Sequence, residues 1–451
     1  MIQSLRLKRF KNFQDATLTL GPFTVLIGAN ASGKSNLRDA FRFLHGIGLG
    51  YRLAEILGEK YVGGERIWTG IRGGVREVAY WGCDSFELRV EMRPPSRATE
   101  GPLIEYEIGV AVAGSADKTP RVVAESLHYP LVFGKGIDAP GTTGFRIVGR
   151  NVGRQQGIRI SSFPEKRMRG KDSSTYASDW PILVQAAQDD EGSGREALAL
   201  ARSVVRELQA FTFLDLSPTR MRIGSLPGQT TLGDRGENLS SVLAATCSDP
   251  ARKRVLLEWV RKLTPMDVDD LVFDDDAAGR LLLRLVAKGG RSISALSVSD
   301  GTLRFLGILA ALFGREPAPV YIIEDLEHGI HPTQLRLLVD LIEHQARRQG
   351  IQVVATSHSP QLLQCLSEES LANTSLVYRL PNRPDALIKP IVEIPNARRV
   401  IKEQPIWVLH ASSWFGDVMD LIDGGESEPV TSRGEATISA AAGASDTEEG
   451  R

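Results

Sequence analysis

Several features are scarce in this chain of 451 residues, and each scarcity narrows the classes of protein to consider. Only three cysteines occur, Cys83, Cys247 and Cys365, and their wide separation fits neither a metal site nor a disulfide framework. The longest apolar run, Leu306–Phe313, is far shorter than the ~20 residues of a membrane-spanning helix. Charges recur every few residues at the N-terminus, so no signal peptide is expected. A soluble, cytoplasmic protein without membrane contact is predicted.

An excess of one charge sign is also lacking, because the formal net charge is −1. Contact with nucleic acid would therefore need a local basic patch. One basic stretch exists, opposed only by Glu165, and salt-dependent binding of nucleic-acid phosphates would use it. A solvated loop is the simpler interpretation of the same stretch, and it has no aromatic residues placed for base stacking. The candidate contact residues are Arg150, Arg154, Arg159, Lys166, Arg167 and Arg169, flanked by Arg146 and Lys171.

A glycine-bounded loop is the most specific feature of the sequence. The apolar segment Phe23–Ile27 predicts a buried parallel strand, and the apolar spacing from Asn36 to Leu44 predicts a helix. Between them the chain matches the P-loop pattern G-x-x-x-x-G-K-[ST], whose backbone N–H groups surround phosphates. Lys34 would contact the β- and γ-phosphates, and the Ser35 hydroxyl would bind Mg²⁺. The predicted ATP-binding residues are Gly28, Ala29, Asn30, Ala31, Ser32, Gly33, Lys34, Ser35 and Asn36.

Two later strands are predicted to end in residues that suit phosphate chemistry. Val320–Ile323 is followed by Glu324 and Asp325, so one carboxylate could bind near Mg²⁺ and the next near an attacking water. The strand Gln352–Thr356 precedes His358, which could donate a hydrogen bond to the γ-phosphate or orient the water. Taken alone, the two acids fit an ordinary strand end equally well, and a lone histidine at a strand end is more often structural. The complete P-loop favours the catalytic interpretation of the two acids.

A fourth polar segment precedes an apolar helix predicted at Thr302–Leu312. Its residues Ser299, Asp300, Gly301 and Thr302 combine a hydroxyl, a glycine and a helix N-terminus, which together suit phosphate binding. Taken alone, a plain N-cap is the simpler interpretation.

The order of these segments resembles that of the ABC-type ATPase heads of the RecF, SMC and OLD group. Within that group the chain looks most like the bacterial predicted ATPases of the AAA family, an OLD-like head without the Toprim nuclease domain. The resemblance covers most of residues 1–380. The motifs that carry it are LRLKRFKNF, GANASGKSN, SPTRMR, GENLSSVL, SVSDGTLRFLGILAAL, IIEDLEHGIHP and ATSHSPQLL.

The resemblance implies a role for each motif. Ser299–Thr302 matches the signature motif, which in the family binds the γ-phosphate held by a second subunit, so ATP would lie between two heads arranged head-to-tail. Glu324 matches the acid linked to Mg²⁺, Asp325 the catalytic carboxylate and His358 the switch histidine. Many relatives have Asp-Glu or Glu-Glu at the acid pair, and the shorter Asp325 here suggests slow turnover. No glutamine can be placed as the family's Q-loop residue.

The predicted fold is α/β: a P-loop NTPase head of the ABC type, with a mixed sheet, flanking helices and an inserted α+β lobe. Alternating segments from Phe86 to Tyr129 predict antiparallel strands in that lobe, and residues 134–180 are predicted as long loops. The C-terminal stretch lacks aromatic and large aliphatic clusters, which is typical of disorder. The predicted parts are the head (residues 1–85 and 271–400), the lobe (86–270), a C-terminal extension (401–423) and a disordered tail (424–451).

Three functions follow, in this order of preference. The first is an ATPase switch whose ATP-driven homodimerisation controls DNA contact or a separate effector such as a nuclease, as in bacterial defence or genome maintenance. The second is a RecF-like DNA-repair loader. The third is the ATP-binding subunit of a membrane transporter, disfavoured by the Ser-Asp-Gly-Thr signature and the β-rich insertion. No sustained heptads separate Ser35 from Ser299, so long SMC-like arms are not expected.

Overall fold

The computed structural model describes residues 1–94, 102–112, 119–131, 141–151, 157–163, 176–188, 195–263, 267–380, 383–394 and 401. All of them belong to one compact unit, Met1–Gln404. The predicted tail and, apart from Ile401, the predicted C-terminal extension lie outside the described residues.

The strands are β1 (Ile2–Phe10), β2 (Phe13–Thr19), β3 (Phe23–Ile27), β4 (Lys60–Val62), β5 (Glu65–Trp68), β6 (Ser85–Met92), β7 (Ile104–Ala111), β8 (Arg121–Leu131), β9 (Gly141–Asn151), β10 (Gly157–Phe163), β11 (Tyr176–Ala177), β12 (Phe211–Leu214), β13 (Val268–Asp275), β14 (Leu281–Ala287), β15 (Ser292–Ser294), β16 (Val320–Ile323), β17 (Gln352–Ser357), β18 (Ser375–Arg379) and β19 (Ala386–Pro390). The helices are α1 (Lys34–Gly48), α2 (Leu53–Leu57), α3 (Gly74–Glu77), α4 (Ile182–Gln188), α5 (Arg195–Gln209), α6 (Pro218–Met221), α7 (Leu239–Cys247), α8 (Pro250–Leu263), α9 (Asp300–Phe313), α10 (Pro332–Gln349), α11 (Pro360–Cys365) and α12 (Glu368–Ala372).

A six-stranded sheet in the order β12-β16-β17-β3-β18-β19 contains the strand that leads into the P-loop. Its first five strands in that order run parallel, and β19 pairs antiparallel with β18. Strands β3, β16 and β17 are buried along their whole length, which explains why their sequences are largely apolar and do not alternate. The register pairs Ile323 with Ala355 and Ser357 with Ile27, so the residues after these three strands meet at one edge. The predicted mixed α/β fold is confirmed.

An eight-stranded antiparallel sheet in the order β11-β10-β9-β8-β7-β6-β1-β2 lies beside it in the same compact unit. Its strands β1 and β2 come from the N-terminal segment, and β6 to β11 come from the predicted lobe of residues 86–270. Strand β12, from the same range, is instead the edge strand of the six-stranded sheet. The boundaries drawn around residues 86–270 therefore do not separate one sheet from the other.

The prediction of long loops at residues 134–180 is wrong in part, because β9, β10 and β11 lie in this range. Strand β9 pairs with the edge of β8, where Phe145 lies opposite Leu127, and β10 then pairs with β9. A neighbouring strand edge supplies backbone partners that local sequence periodicity does not report. Of the basic candidates, Arg150 and Arg159 lie on β9 and β10. The remaining ones, Arg154, Lys166, Arg167 and Arg169, lie outside the described residues.

Helices pack against both parts of the unit. Helix α1, which follows the P-loop, packs against α5, and α10 packs against β3 and β17. Among the described helices, none combines the length and the hydropathy needed to cross a bilayer.

Candidate functional site

The P-loop connects the C-terminal end of β3 to the first residue of α1. A Cβ atom at Gly28 would lie 2.1 Å from the Val377 carbonyl oxygen, so no larger residue fits there without a shift of β18. Gly33 has a φ of 121°, a conformation that side chains rarely adopt. Both glycines of the motif are thus required by the local geometry. Ala29, Asn30 and Ala31 form the exposed crest of the loop between them.

The Lys34 side chain folds back over the loop that precedes it. Its Nζ donates to the carbonyl oxygens of Gly28, at 2.5 Å, and Ala29, at 2.8 Å. An ammonium group has three N–H donors, so one remains for a further acceptor. The residue is 8% exposed, and this burial lowers the pKa of Lys34, opposed by the negative charges of Asp325 and Glu327. The amine therefore interacts electrostatically with the acids that follow β16.

A hairpin tip supports the P-loop from the N-terminal segment. Asn12 lies between β1 and β2; its Nδ2 donates to the Ser32 carbonyl oxygen at 3.4 Å, and its Oδ1 accepts from Asn36 Nδ2 at 2.7 Å. Ser32 Oγ is buried and has no hydrogen-bond partner. Ser35 lies in the first turn of α1, partly exposed. The sequence contained a signal for Asn12 in the motif LRLKRFKNF, but no role was assigned to that residue.

Glu324 directly follows β16 and is paired with a basic residue of α1. Its Oε2 lies 3.3 Å from Arg38 Nη1, and its backbone N–H donates to the Leu214 carbonyl oxygen of β12. Burial raises the pKa of Glu324, the Arg38 charge lowers it, and the nearby Asp215 raises it further. The carboxylate is thus held between the P-loop helix and the ends of two parallel strands.

Asp325 adopts an unusual backbone conformation, with a φ of 46°. Its N–H donates to Thr356 Oγ1 at 3.0 Å, which ties the end of β16 to β17. The side chain of Asp325 is 50% exposed, and its Oδ1 lies 3.9 Å from His358 Nδ1. A left-handed conformation is costly for a residue other than glycine and recurs at functional sites.

A third acid after β16, Glu327, makes the shorter contact with the histidine. Its Oε1 accepts from the His358 backbone N–H at 2.9 Å and lies 3.1 Å from His358 Nδ1. The side chain of Glu327 is 9% exposed, and its Oε2 is buried without a hydrogen-bond partner. The only sequence signal for this residue is the third acid in IIEDLE, which was not singled out.

The predicted signature residues form the exposed N-terminus of α9. Ser299 Oγ accepts from the Thr302 N–H, and Asp300 Oδ1 lies 2.6 Å from Arg222 Nη2. A Cβ atom at Gly301 would lie 2.1 Å from the carbonyl oxygen of Gly329, in the segment after the acids. The structure therefore brings together the P-loop, the acids and His358, and joins the signature segment to them through Gly329.

A glycine loop between a buried parallel strand and a helix, with acids at the end of a nearby parallel strand, defines a P-loop nucleotide-binding domain. The family model described as "AAA domain, putative AbiEii toxin, Type IV TA system" matches residues 23–94 and 248–364. These two segments include the P-loop, the signature segment, the acids and His358. The match supports assignment to the P-loop ATPases. A search of curated proteins found no significant match.

Solved structures with a similar chain fold include three heads of SMC proteins. An SMC head bound to the C-terminal winged-helix domain of ScpA is 15% identical, with 86% of this chain and 97% of that chain covered and a TM-score of 0.46. The SMC head domain from Thermotoga maritima is 11% identical, with 86% and 98% covered and a TM-score of 0.38. An SMC head with an extended coiled coil, bound to the C-terminal domain of ScpA from Pyrococcus furiosus, is 12% identical, with 86% and 95% covered and a TM-score of 0.39.

Proposed function

We propose that the protein binds ATP with Mg²⁺ and hydrolyses it. The observation that carries this proposal is the Lys34 amine, held by two loop carbonyl oxygens, with one N–H left over and the acids after β16 near enough to affect its pKa. An ammonium group in this position suits the β- and γ-phosphates of a nucleotide.

The residues at the site fit a magnesium nucleotide. Neither Gly28 nor Gly33 has room for a side chain, because a Cβ atom would meet the Val377 carbonyl oxygen at Gly28 and Asn12 Nδ2 at Gly33. The buried Ser32 hydroxyl lacks a hydrogen-bond partner, which a phosphate oxygen would supply. The Ser35 hydroxyl and the Glu324 carboxylate are the residues that would hold Mg²⁺, which usually takes one or two carboxylates besides phosphates and waters. The metal would neutralise negative charge on the phosphates. Arg38 balances the charge of Glu324.

The resemblance to ABC-type heads assigns Asp325 to the attacking water and His358 to the γ-phosphate. His358 is half exposed, and it follows β17, the strand next to β3 in the sheet. A hydrogen-bond donor there would contact the terminal phosphate of a nucleotide on the P-loop.

Two copies of the chain would enclose ATP head-to-tail. The signature segment supports this proposal because Ser299 and Asp300 are exposed at the start of α9, a helix of 14 residues whose N-terminus favours anions. Gly301 of this segment packs closely against Gly329, so a conformational change near the acids would also move the exposed signature segment. ATP-driven dimerisation would then switch a separate effector, in keeping with the toxin–antitoxin description of the matching family. DNA contact stays a prediction from the basic stretch alone.

ATP hydrolysis by wild type, Lys34→Ala and Asp325→Asn tests the proposal, with mass in solution measured alongside. Lys34→Ala should lose ATP binding and turnover. Lys288→Ala, which removes an exposed lysine in a turn, is the matched control and should behave as wild type. A dimer that forms with ATP and dissociates after hydrolysis is expected. A wild type that binds ATP but stays monomeric and inactive, with or without DNA, would refute the mechanism.

A further inference from the structure

Glu327 has an unsatisfied oxygen next to the proposed ATP site. Among the side chains that the structure describes, Glu327 Oε2 is the one carboxylate oxygen that is fully enclosed and lacks a hydrogen-bond partner. Leaving a buried acceptor unsatisfied destabilises the fold, and more so when the group is charged. Such a cost persists in a stable fold when a ligand supplies the missing partner.

The other oxygen of the same carboxylate is fixed in place. Both the backbone N–H and Nδ1 of His358 lie within 3.1 Å of Oε1. Oε1 accepts the hydrogen bond of the His358 backbone N–H, whatever the protonation of the ring. With Oε1 held from the end of β17, the direction of Oε2 is set by the protein and not by solvent.

The position of Glu327 relative to the P-loop indicates which ligand would contact Oε2. His358, which Glu327 contacts, follows β17, and the register of β17 with β3 pairs Ser357 with Ile27, so Glu327 lies beside the start of the P-loop. A nucleotide on the P-loop, with its β- and γ-phosphates at Lys34, would bring its γ-phosphate side close to Glu327.

We propose that Glu327, rather than Asp325, accepts the hydrogen bond of the water that attacks ATP; the proposal rests on the ATPase function proposed above. The water oxygen bonds to the γ-phosphorus, and the bond from phosphorus to the β–γ bridging oxygen breaks. The water proton passes to Glu327 Oε2 and is then released, so the products are ADP and inorganic phosphate. Asp325 is the weaker candidate because its side chain is shorter and half exposed.

Glu327→Gln tests the proposal, because glutamine keeps one oxygen for the His358 N–H but replaces the other with an NH₂ donor. The turnover number should fall at least about 100-fold, the size usual for loss of a general base. ATP affinity should stay within about threefold, and the nucleotide recovered from the protein after incubation should remain ATP. Asp325→Asn should lower the turnover number clearly less than Glu327→Gln does. Glu316→Gln, at an exposed position before β16, controls for the loss of one negative charge.

Four results would overturn the proposal. Turnover by Glu327→Gln within tenfold of wild type would exclude the residue as the acceptor, and equal losses in Glu327→Gln and Asp325→Asn would exclude its replacing Asp325. Recovery of Glu327→Gln at high Mg²⁺ concentration would make Glu327 part of the metal shell instead. A wild type that binds ATP through Lys34 yet never releases phosphate would refute the proposed ATPase function itself, and the role of Glu327 with it.

Discussion

Replacing Glu125 with glutamine is expected to change how the stability of the protein depends on pH. Glu125 lies on β8, fully buried in the core. Its Oε1 accepts from Tyr106 Oη at 2.9 Å and from the Leu183 N–H at 2.8 Å, and its Oε2 accepts from the Ile182 N–H at 2.7 Å. The residue therefore links the eight-stranded sheet to the start of α4.

Burial raises the pKa of Glu125 from 4.5 to about 7, although the three donors favour the ionised form. Each tenfold difference corresponds to about 1.4 kcal/mol, so ionising the buried group costs about 3 kcal/mol more than in the unfolded chain. The pKa of Glu125 is higher in the folded protein than in the unfolded chain, so the protonated carboxyl stabilises the folded state. This stabilisation is fully present below pH 4.5 and is lost as the pH rises through 7. Glutamine cannot ionise. Its NH₂ group would also face the Ile182 N–H, so two donors would meet without an acceptor at every pH.

Thermal unfolding of wild type and Glu125→Gln at pH 5 and pH 8 measures the effect. About 2.5 kcal/mol of the stability lost by ionising Glu125 is lost between pH 5 and pH 8. The unfolding entropy is about 2.1 cal/mol/K per residue of the unit that ends at Gln404. The difference between the unfolding midpoints of Glu125→Gln and wild type should therefore be about 3 °C more in favour of the variant at pH 8 than at pH 5. Glu107→Gln, partly exposed on the next strand, is the control. A gap that is the same at both pH values would refute the reasoning.

Two further substitutions test the supports of the site. Asn12→Ala removes the bonds to Ser32 and Asn36, each worth about 1 kcal/mol, so the dissociation constant of ATP should rise by up to about thirtyfold by calorimetry. An unchanged constant would show that the P-loop needs no support from the hairpin. Gly301→Ala forces a Cβ atom against the Gly329 carbonyl oxygen and should weaken ATP-dependent dimerisation in light scattering, with ATP binding retained. Lys288→Ala, the control at an exposed turn, should dimerise normally, and a Gly301→Ala dimer as tight as wild type would contradict this role.

Three strands of the P-loop sheet, β3, β16 and β17, were predictable because each is buried along its whole length. Phe23–Ile27 and Val320–Ile323 have the predicted boundaries, since a fully buried parallel strand has a continuous apolar sequence that ends where polar residues begin. Strands β9 and β10 were missed because glycine and serine interrupt their alternation. Their pairing depends on the edge of β8, which no local pattern contains.

The candidate site was predictable only where a motif is local. The P-loop lies within nine consecutive residues, and its strand, loop and helix follow one another in the chain. The contact of Glu327 with His358 joins residues 31 apart, and that of Asn12 with Asn36 joins residues 24 apart. Such pairs are set by the register of β16, β17 and the hairpin, so their roles became visible only in the fold.

The position of β3 between β17 and β18 has a consequence for biosynthesis. During translation β3 leaves the ribosome early, but both of its neighbours in the sheet belong to residues 352–379. The Gln352 side chain likewise hydrogen-bonds to the backbone N–H and carbonyl oxygen of Ile2, 350 residues earlier in the chain. At about 5–20 residues per second, the apolar P-loop strand waits roughly 20 s to one minute for its partners. A nascent chain of this protein should therefore depend on chaperones until its last third has been made, and no shorter N-terminal fragment can form the nucleotide site.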